Sequence, residues 1–269
     1  MAMAPQALVN PPIKKIRRLF WDIETSPNIG FFWRAGPKQF VNYDSIIHER
    51  AIICICYKWE GDNDIHHLTW DNDQHDKLML QKFAGVANDA DEIVAHNGDR
   101  FDLPWFRTRC VFHGIHTRFN YKTIDTLQWA KRNFYFNSNK MDYIASFLGV
   151  GAKLHTELDL WKRIVMKNDR KALKYMVEYC KHDVDILEKV YHKLSEHVNI
   201  KTHAGVVAGR DKWSCPRCAS LLVKKDGVKI SAKGEPYHRM RCKKCGFSYV
   251  INSKVLRDYQ EAKKKQPPP

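Results

Sequence analysis

Two carboxylates two residues apart, Asp22 and Glu24, close the run Leu19-Phe20-Trp21-Asp22-Ile23-Glu24. On an extended strand such residues project from one face, so the pair points together at the strand's end. Like charges held side by side repel, and a divalent cation is the usual partner that makes the arrangement favourable. A third carboxylate, Asp102, follows His96-Asn97-Gly98-Asp99-Arg100-Phe101 and precedes Leu103-Pro104. It comes just after a short apolar strand, where α/β sheets collect ligands, although the same residue also suits a plain helix cap. A fourth, Asp183, lies three residues after Cys180 and four before Leu187, on the apolar stripe of a long helix, with Tyr179 one turn earlier. An uncompensated carboxylate on a core face is strongly disfavoured or driven neutral, and a bound metal removes that conflict.

A second chemistry sits near the other end. Cys215-Pro216-Arg217-Cys218 and Cys242-Lys243-Lys244-Cys245-Gly246 form two Cys-x-x-Cys pairs. Thiolates at such turns converge from two hairpins into a tetrahedral four-cysteine site, so Cys215, Cys218, Cys242 and Cys245 are read as ligands of one structural Zn²⁺ in a zinc ribbon. Gly246 suits the tight turn after the second pair. The other cysteines, Cys54, Cys56, Cys110 and Cys180, lie on apolar segments and read as buried small hydrophobes.

These groups need a scaffold, and the pattern supplies one. Strands are predicted at Ile16–Ile23, Ala51–Trp59, Ile65–Trp70, Ile93–His96 and Tyr121–Ile124. The turn Gly61-Asp62-Asn63-Asp64 makes the first three an antiparallel meander. Helices are predicted at Asp76–Asn88, Leu103–His113, Lys140–Leu148 and Arg170–His197. Strands first, then alternating helices and strands, give an α/β fold: a mixed sheet with helices on both faces. The domain reading is a disordered stretch 1–15, a catalytic domain 16–200, a linker 201–210, a zinc ribbon 211–255 and a basic tail 256–269.

The formal net charge is +15, and the hydrophobic fraction is 44%. From Ala204 onward there are 16 Lys and Arg against 5 Asp and Glu, so +11 of the excess lies there. Lys and Arg displace counterions from phosphates, and a nucleic acid is the natural partner. No apolar stretch reaches the roughly 18–20 residues of a membrane span. The expected setting is cytoplasmic, where disulfides are the unusual use of cysteine.

Taken together, Asp22/Glu24, Asn97-x-x-x-Phe101-Asp102 and Tyr179-x-x-x-Asp183 resemble the DEDD superfamily of 3′–5′ exonucleases, whose fold is ribonuclease H-like with a five-stranded mixed sheet. The Tyr-x-x-x-Asp form is similar to the tyrosine subgroup, which includes the proofreading domain of family B DNA polymerases. Secondary resemblances run through Ile124-Asp125-Thr126-Leu127, Asn137–Tyr143 and Phe147-Leu148-Gly149. With the trailing zinc ribbon, the chain looks like stand-alone exonucleases often encoded by bacteriophages or prophages.

The resemblance implies that Asp22, Glu24, Asp102 and Asp183 bind two Mg²⁺ or Mn²⁺ ions about 3.5–4 Å apart, with Asp22 bridging them. It implies that Tyr179 orients the attacking water, and that Thr25, Asn97 and Phe101 frame the 3′-terminal nucleotide. The loop aromatics Phe31, Phe32 and Trp33 are candidates for stacking on bases, or for packing the loop onto the sheet. The implied substrate is DNA with single-stranded or frayed 3′ ends, and the implied product is nucleoside 5′-monophosphates. RNA trimming by the same mechanism and a non-catalytic nucleic-acid-binding adaptor are the alternatives; intact carboxylates argue against the adaptor. The ribbon either holds the strand or docks a replication or repair protein.

Overall fold

The computed structural model describes residues 14–34, 36, 41–118, 120–152, 154 and 156–265. Most of the stretch expected to be disordered, 1–13, and the end of the basic tail, 266–269, lie outside the described residues. The chain divides into two compact units, one spanning Arg17–Val198 and the other running from Asn199 onward together with the residues before Arg17.

The first unit is built on β1 (Arg18–Thr25), β2 (Ile29–Gly30), β3 (Ile46–His48), β4 (Ile52–Trp59), β5 (His66–Thr69), β6 (Glu92–Ala95) and β7 (Lys122–Asp125). Its helices are α1 (Lys77–Asn88), α2 (Asp102–Phe112), α3 (Thr126–Asn133), α4 (Met141–Phe147), α5 (Leu158–Lys167) and α6 (Arg170–Ser195). Five strands form one sheet in the order β5-β4-β1-β6-β7. β1 pairs antiparallel with β4 and parallel with β6, β4 pairs antiparallel with β5, and β6 pairs parallel with β7. The predicted meander and mixed sheet are both present.

Alternation along β1 splits the core. Leu19, Trp21 and Ile23 join Met79, Leu80, Phe83, Leu103 and Phe106 of α1 and α2 on one face. Phe20 joins Met176, Val177, Cys180, Val184 and Leu187 of α6 on the other. Trp21 stacks on Phe83 at 4.9 Å between ring centroids, and Phe20 meets Tyr191 edge-on at 5.2 Å. Because Asp22 and Glu24 share the side of Phe20, the strand period aims both carboxylates at α6.

One buried ion cluster ties the α1–α2 layer to the sheet. Asp76, with no exposed surface, accepts from Nε of Arg109 (2.7 Å), Nη2 of Arg109 (2.8 Å) and the Ile52 N–H (3.0 Å), and lies 2.7 Å from Nε2 of His113. Burial alone pushes this carboxyl up, and these donors outweigh it, holding it below the ordinary 3.8.

Sequence reading missed α3, α5 and the small β2–β3 pair. These are short segments whose polar residues hide the period; α5 buries only Leu160 and Ile164.

The second unit contains α7 (Ala204–Val207), β8 (Val223–Ile230), β9 (Pro236–Cys242), β10 (Ser248–Asn252) and α8 (Ser253–Lys265). Its sheet runs β10-β9-β8 around a small core of Trp213, Val223, Met240, Ile251 and Leu256. The 201–210 linker contains α7, whose Ala204 N–H donates to the Pro216 carbonyl at 2.8 Å. The basic tail begins as α8, because Val255, Leu256, Tyr259 and Ala262 place an apolar stripe among its charges. The Tyr259 hydroxyl fastens that helix to the Val223 carbonyl at 3.1 Å.

Candidate active site

β6 accompanies β1 only as far as Phe20, which pairs with Val94. Beyond that point one edge of β1 is open, and Asp22, Glu24 and Thr25 lie on the projecting segment. On the other edge, Glu24 faces Cys54 whereas Thr25 faces Ile52, so Ile53 is an extra residue in the ladder. Such a bulge re-aims side chains where a strand ends.

α6 crosses the face toward which Asp22 and Glu24 point. The Cys180 thiol donates to the Asp22 carbonyl at 3.5 Å and to its carboxylate at 3.6 Å. Asp183, three residues further, is 3% exposed. Asp22, Glu24 and Asp183 each bring a carboxylate oxygen within 4.8 Å of the others. Tyr179 is buried one turn before Asp183. Beneath them, the Cys54, Cys56 and Cys180 thiols cluster within 4.8 Å, all fully buried, as the apolar reading of these cysteines expects.

Asp102 stands outside that tight trio and reaches β1 from the open edge. Its carboxylate faces its own N–H and that of Ile23, both of which favour the charged form. Burial pushes its pKa up to about 7, and neighbouring Asp125 adds to the rise. Its Oδ1 is buried without a hydrogen-bond partner among the described residues. The helix is capped by Phe101, with Asp102 in its first turn, so the plain-cap reading does not describe it.

The turn that delivers Asp102 depends on residues whose roles the sequence did not disclose. Asp125, at the end of β7, accepts from the N–H groups of Asn97 (3.0 Å), Leu127 (2.9 Å) and Gln128 (3.2 Å). It thus caps α3 and holds the turn with one carboxylate. Its position directly before a helix was the available signal. Asn97 takes a left-handed conformation at φ 71°. His96 bridges Oγ1 of Thr126 (2.9 Å) and the Asn139 carbonyl (3.0 Å). A Cβ on Gly98 would fall 2.5 Å from that of Ala95, so only glycine fits.

Asp22 and Asp183 open into a cavity of about 600 Å³ that also exposes Asn97, Lys131 and Asp142. Lys131 gave no sequence signal beyond its charge. Thr25 fixes the end of β1 through its carbonyl, which accepts from Nε1 of Trp161 at 3.0 Å. Phe101 is 39% exposed, and Phe31, Phe32 and Trp33 are all exposed. Clustered hard oxygens and an orphaned buried carboxylate oxygen suit Mg²⁺ or Mn²⁺.

In the second unit, Cys215, Cys218, Cys242 and Cys245 bring their sulfurs within 4.8 Å of one another. Cys215 lies 3.6 Å from Cys245, and Cys218 lies 3.7 Å from Cys242. Zn–S bonds of about 2.3 Å place tetrahedral sulfurs about 3.8 Å apart, so this donor set fits zinc. The two knuckles match each other. Ala219 (φ 58°) and Gly246 (φ 74°) each follow the second cysteine in left-handed conformation. Their N–H groups donate to the Cys215 and Cys242 carbonyls at 2.9 and 3.0 Å.

A family model, RNase_H_2 of the RNase_H superfamily, matches residues 48–195. That is more than half of the 269-residue chain, although it begins after β1. Among solved structures, the chain is similar to the family B DNA polymerase from the hyperthermophilic archaeon Pyrobaculum calidifontis. The TM-score is 0.53 at 17% identity, over 67% of this chain and 25% of the polymerase. This chain therefore spans about a quarter of that polymerase's length. No curated protein matches the sequence. Among the described residues, no helix is long and apolar enough to cross a membrane.

Proposed function

The chain belongs to the RNase_H superfamily, and from that premise we propose that it is a 3′–5′ exonuclease of the DEDD tyrosine subgroup. Its substrate is DNA with single-stranded or frayed 3′ ends. The observation that carries this reading is the convergence of Asp22, Glu24 and Asp183 within 4.8 Å, with Asp102 facing the strand between the first two. A nuclease fold supplies the context, and the polymerase likeness favours DNA.

Asp22, Glu24, Asp102 and Asp183 would hold two Mg²⁺ or Mn²⁺ ions, which when bound supply an activated water and neutralise charge at the departing 3′-oxygen. The chain's own groups do the remaining work. The Tyr179 hydroxyl orients the water. Asn97 and Phe101, on the Asp125-held turn, position the terminal nucleotide, with Thr25 at the end of β1. Lys131 offsets phosphate charge in the cavity. The product is a nucleoside 5′-monophosphate.

The domain assignment that goes with this reading is a nuclease domain over 16–200 and a Cys₄ zinc ribbon over 211–255. In the ribbon, one Zn²⁺ holds a fold too small for its core alone. Its basic surface grips the strand or docks a replication or repair protein. A nuclease domain followed by a zinc ribbon suits a phage or prophage product acting in bacterial cytoplasm.

The test is a polarity assay. A 5′-labelled single-stranded DNA incubated with Mg²⁺ gives a descending ladder, whereas 3′-labelled DNA releases labelled mononucleotide at once. Preference for an RNA oligonucleotide of the same sequence would move the assignment to RNA trimming. Internal cuts without a ladder would contradict exonuclease action.

A further inference from the structure

α2 carries apolar side chains on two faces. Leu103, Phe106 and Cys110 are buried against the sheet. Phe101, Trp105 and Phe112 follow a separate stripe, at helical spacings of four and seven residues, and line a groove of about 640 Å³ on the other side. Phe112 is 69% exposed. Trp105 is half-buried with its inner edge against the core, whereas Phe101 and Phe112 stand exposed on either side of it.

The groove is cationic as well as aromatic. Arg50 and Arg100 line it against one carboxylate, Glu49. Among the described residues, no ion pair engages either arginine. The Arg50 guanidinium lies over the Trp105 ring at 4.8 Å from its centroid, and Arg109, anchored by buried Asp76, lies over Phe112 at 4.6 Å. Phe101 and Trp105 are in contact at 6.1 Å between centroids. The rings are thus fixed in place before any ligand arrives. Faces of aromatic rings between unpaired arginines match a strand of bases and phosphates.

Position points the same way. Phe101 directly precedes Asp102, and Arg50 directly precedes Ala51, whose carbonyl accepts from the Ser26 N–H at 2.8 Å, just past Glu24 and Thr25. The groove therefore begins where the carboxylate site ends. We infer that this α2 groove is a binding track for single-stranded nucleic acid, holding nucleotides upstream of the one being cleaved. Trp105 and Phe112 stack on bases, and Arg50 and Arg100 contact phosphates. The assignment rests on the nuclease reading for its direction along the strand.

The test measures binding by the full chain in EDTA, using fluorescein-labelled oligothymidylates of two and six nucleotides. The wild-type protein binds the six-nucleotide probe at least tenfold tighter. Trp105→Ala and Phe112→Ala each reduce that advantage by about fivefold or more, as the loss of one stacked base predicts. Arg100→Ala, a change at an exposed residue that leaves the core intact, lowers the slope of log affinity against log salt by about 0.7. Equal binding of both lengths by the wild type would overturn the track. So would variants that keep both the length advantage and the salt slope. Binding is read without cleavage, so failure of the six-nucleotide probe to be degraded in Mg²⁺ would contradict the nuclease assignment and leave the groove standing.

Discussion

The Asp102 carboxylate faces the backbone N–H of Ile23, the residue between Asp22 and Glu24, which favours its charged form. A side chain from α2 thereby sits against the edge of β1 that β6 leaves open beyond Phe20. The same placement brings the third element of the site beside the first two. Asp102 is fully buried, with a pKa raised to about 7 by desolvation, so its charge is held where no protein group fully compensates it.

Asp102→Asn keeps an acceptor for the Ile23 N–H and removes the buried charge. Hydrolysis is expected to fall at least about 100-fold, as for loss of one strong electrostatic group. The metal-free variant is expected to melt a few degrees higher than the wild type at pH 8. Calorimetry in EDTA beside a nuclease assay reads both. Undiminished activity, or a lower melting temperature, would contradict this role.

Gly98→Ala drives a Cβ to within 2.5 Å of the Ala95 Cβ and shifts the turn that carries Asn97, Phe101 and Asp102. A displacement of about 1 Å costs about 100-fold in rate. The double variant with Ala95→Gly removes the clashing atom and restores most of the activity. Equal loss in single and double variants would show that the turn's position is set by something else.

Much of this was legible in the sequence, because the strand and helix periods put Asp22, Glu24 and Asp183 on facing surfaces. The long helix was expected over Arg170–His197 and spans Arg170–Ser195. The cysteine spacing specified the thiol cluster outright. What stayed hidden was non-local. Asp125 reaches back across β7 and β6 to hold Asn97, and Lys131 joins the cavity only because α3 passes beside it. The bulge at Ile53 depends on strand pairing, which no single strand reveals. In α8 the charges outnumber a stripe of four apolar side chains, so its helical period is hidden in the sequence.

Asp76 gives the clearest pH signature. Its folded pKa is depressed by Arg109, Ile52 and His113 acting against burial, so its contribution is complete above about pH 4 and is lost as pH falls through the folded value. Asp76→Asn leaves the half-buried Arg109 guanidinium without its carboxylate partner and is expected to cost about 3–5 kcal/mol at pH 7. Urea unfolding of both proteins from pH 7 to pH 3 should show the gap constant above that range and narrowing below it. A gap that widens on acidification would contradict the assignment.

Purified protein should carry about one zinc per chain in the Cys₄ site. Cys245→Ser is expected to lose it and to leave the region beyond Asn199 open to protease, with a red-shifted contribution from buried Trp213. The helices of the 17–198 unit should persist by circular dichroism. Retention of zinc in that variant, measured by atomic absorption, would exclude Cys245 as a ligand.

The most direct test concerns Asp22 and Asp183, on β1 and α6, as parts of one metal-dependent site. Single-stranded DNA labelled at its 5′ end is to be incubated with the wild type, Asp22→Ala, Asp183→Asn and the double variant, in Mg²⁺ and in EDTA. The wild type should shorten the DNA from its 3′ end in Mg²⁺ alone, and each variant should lose at least about 1,000-fold, with folding and zinc content unchanged. Full Mg²⁺-dependent activity in the double variant, or wild-type activity that survives EDTA, would contradict the assignment.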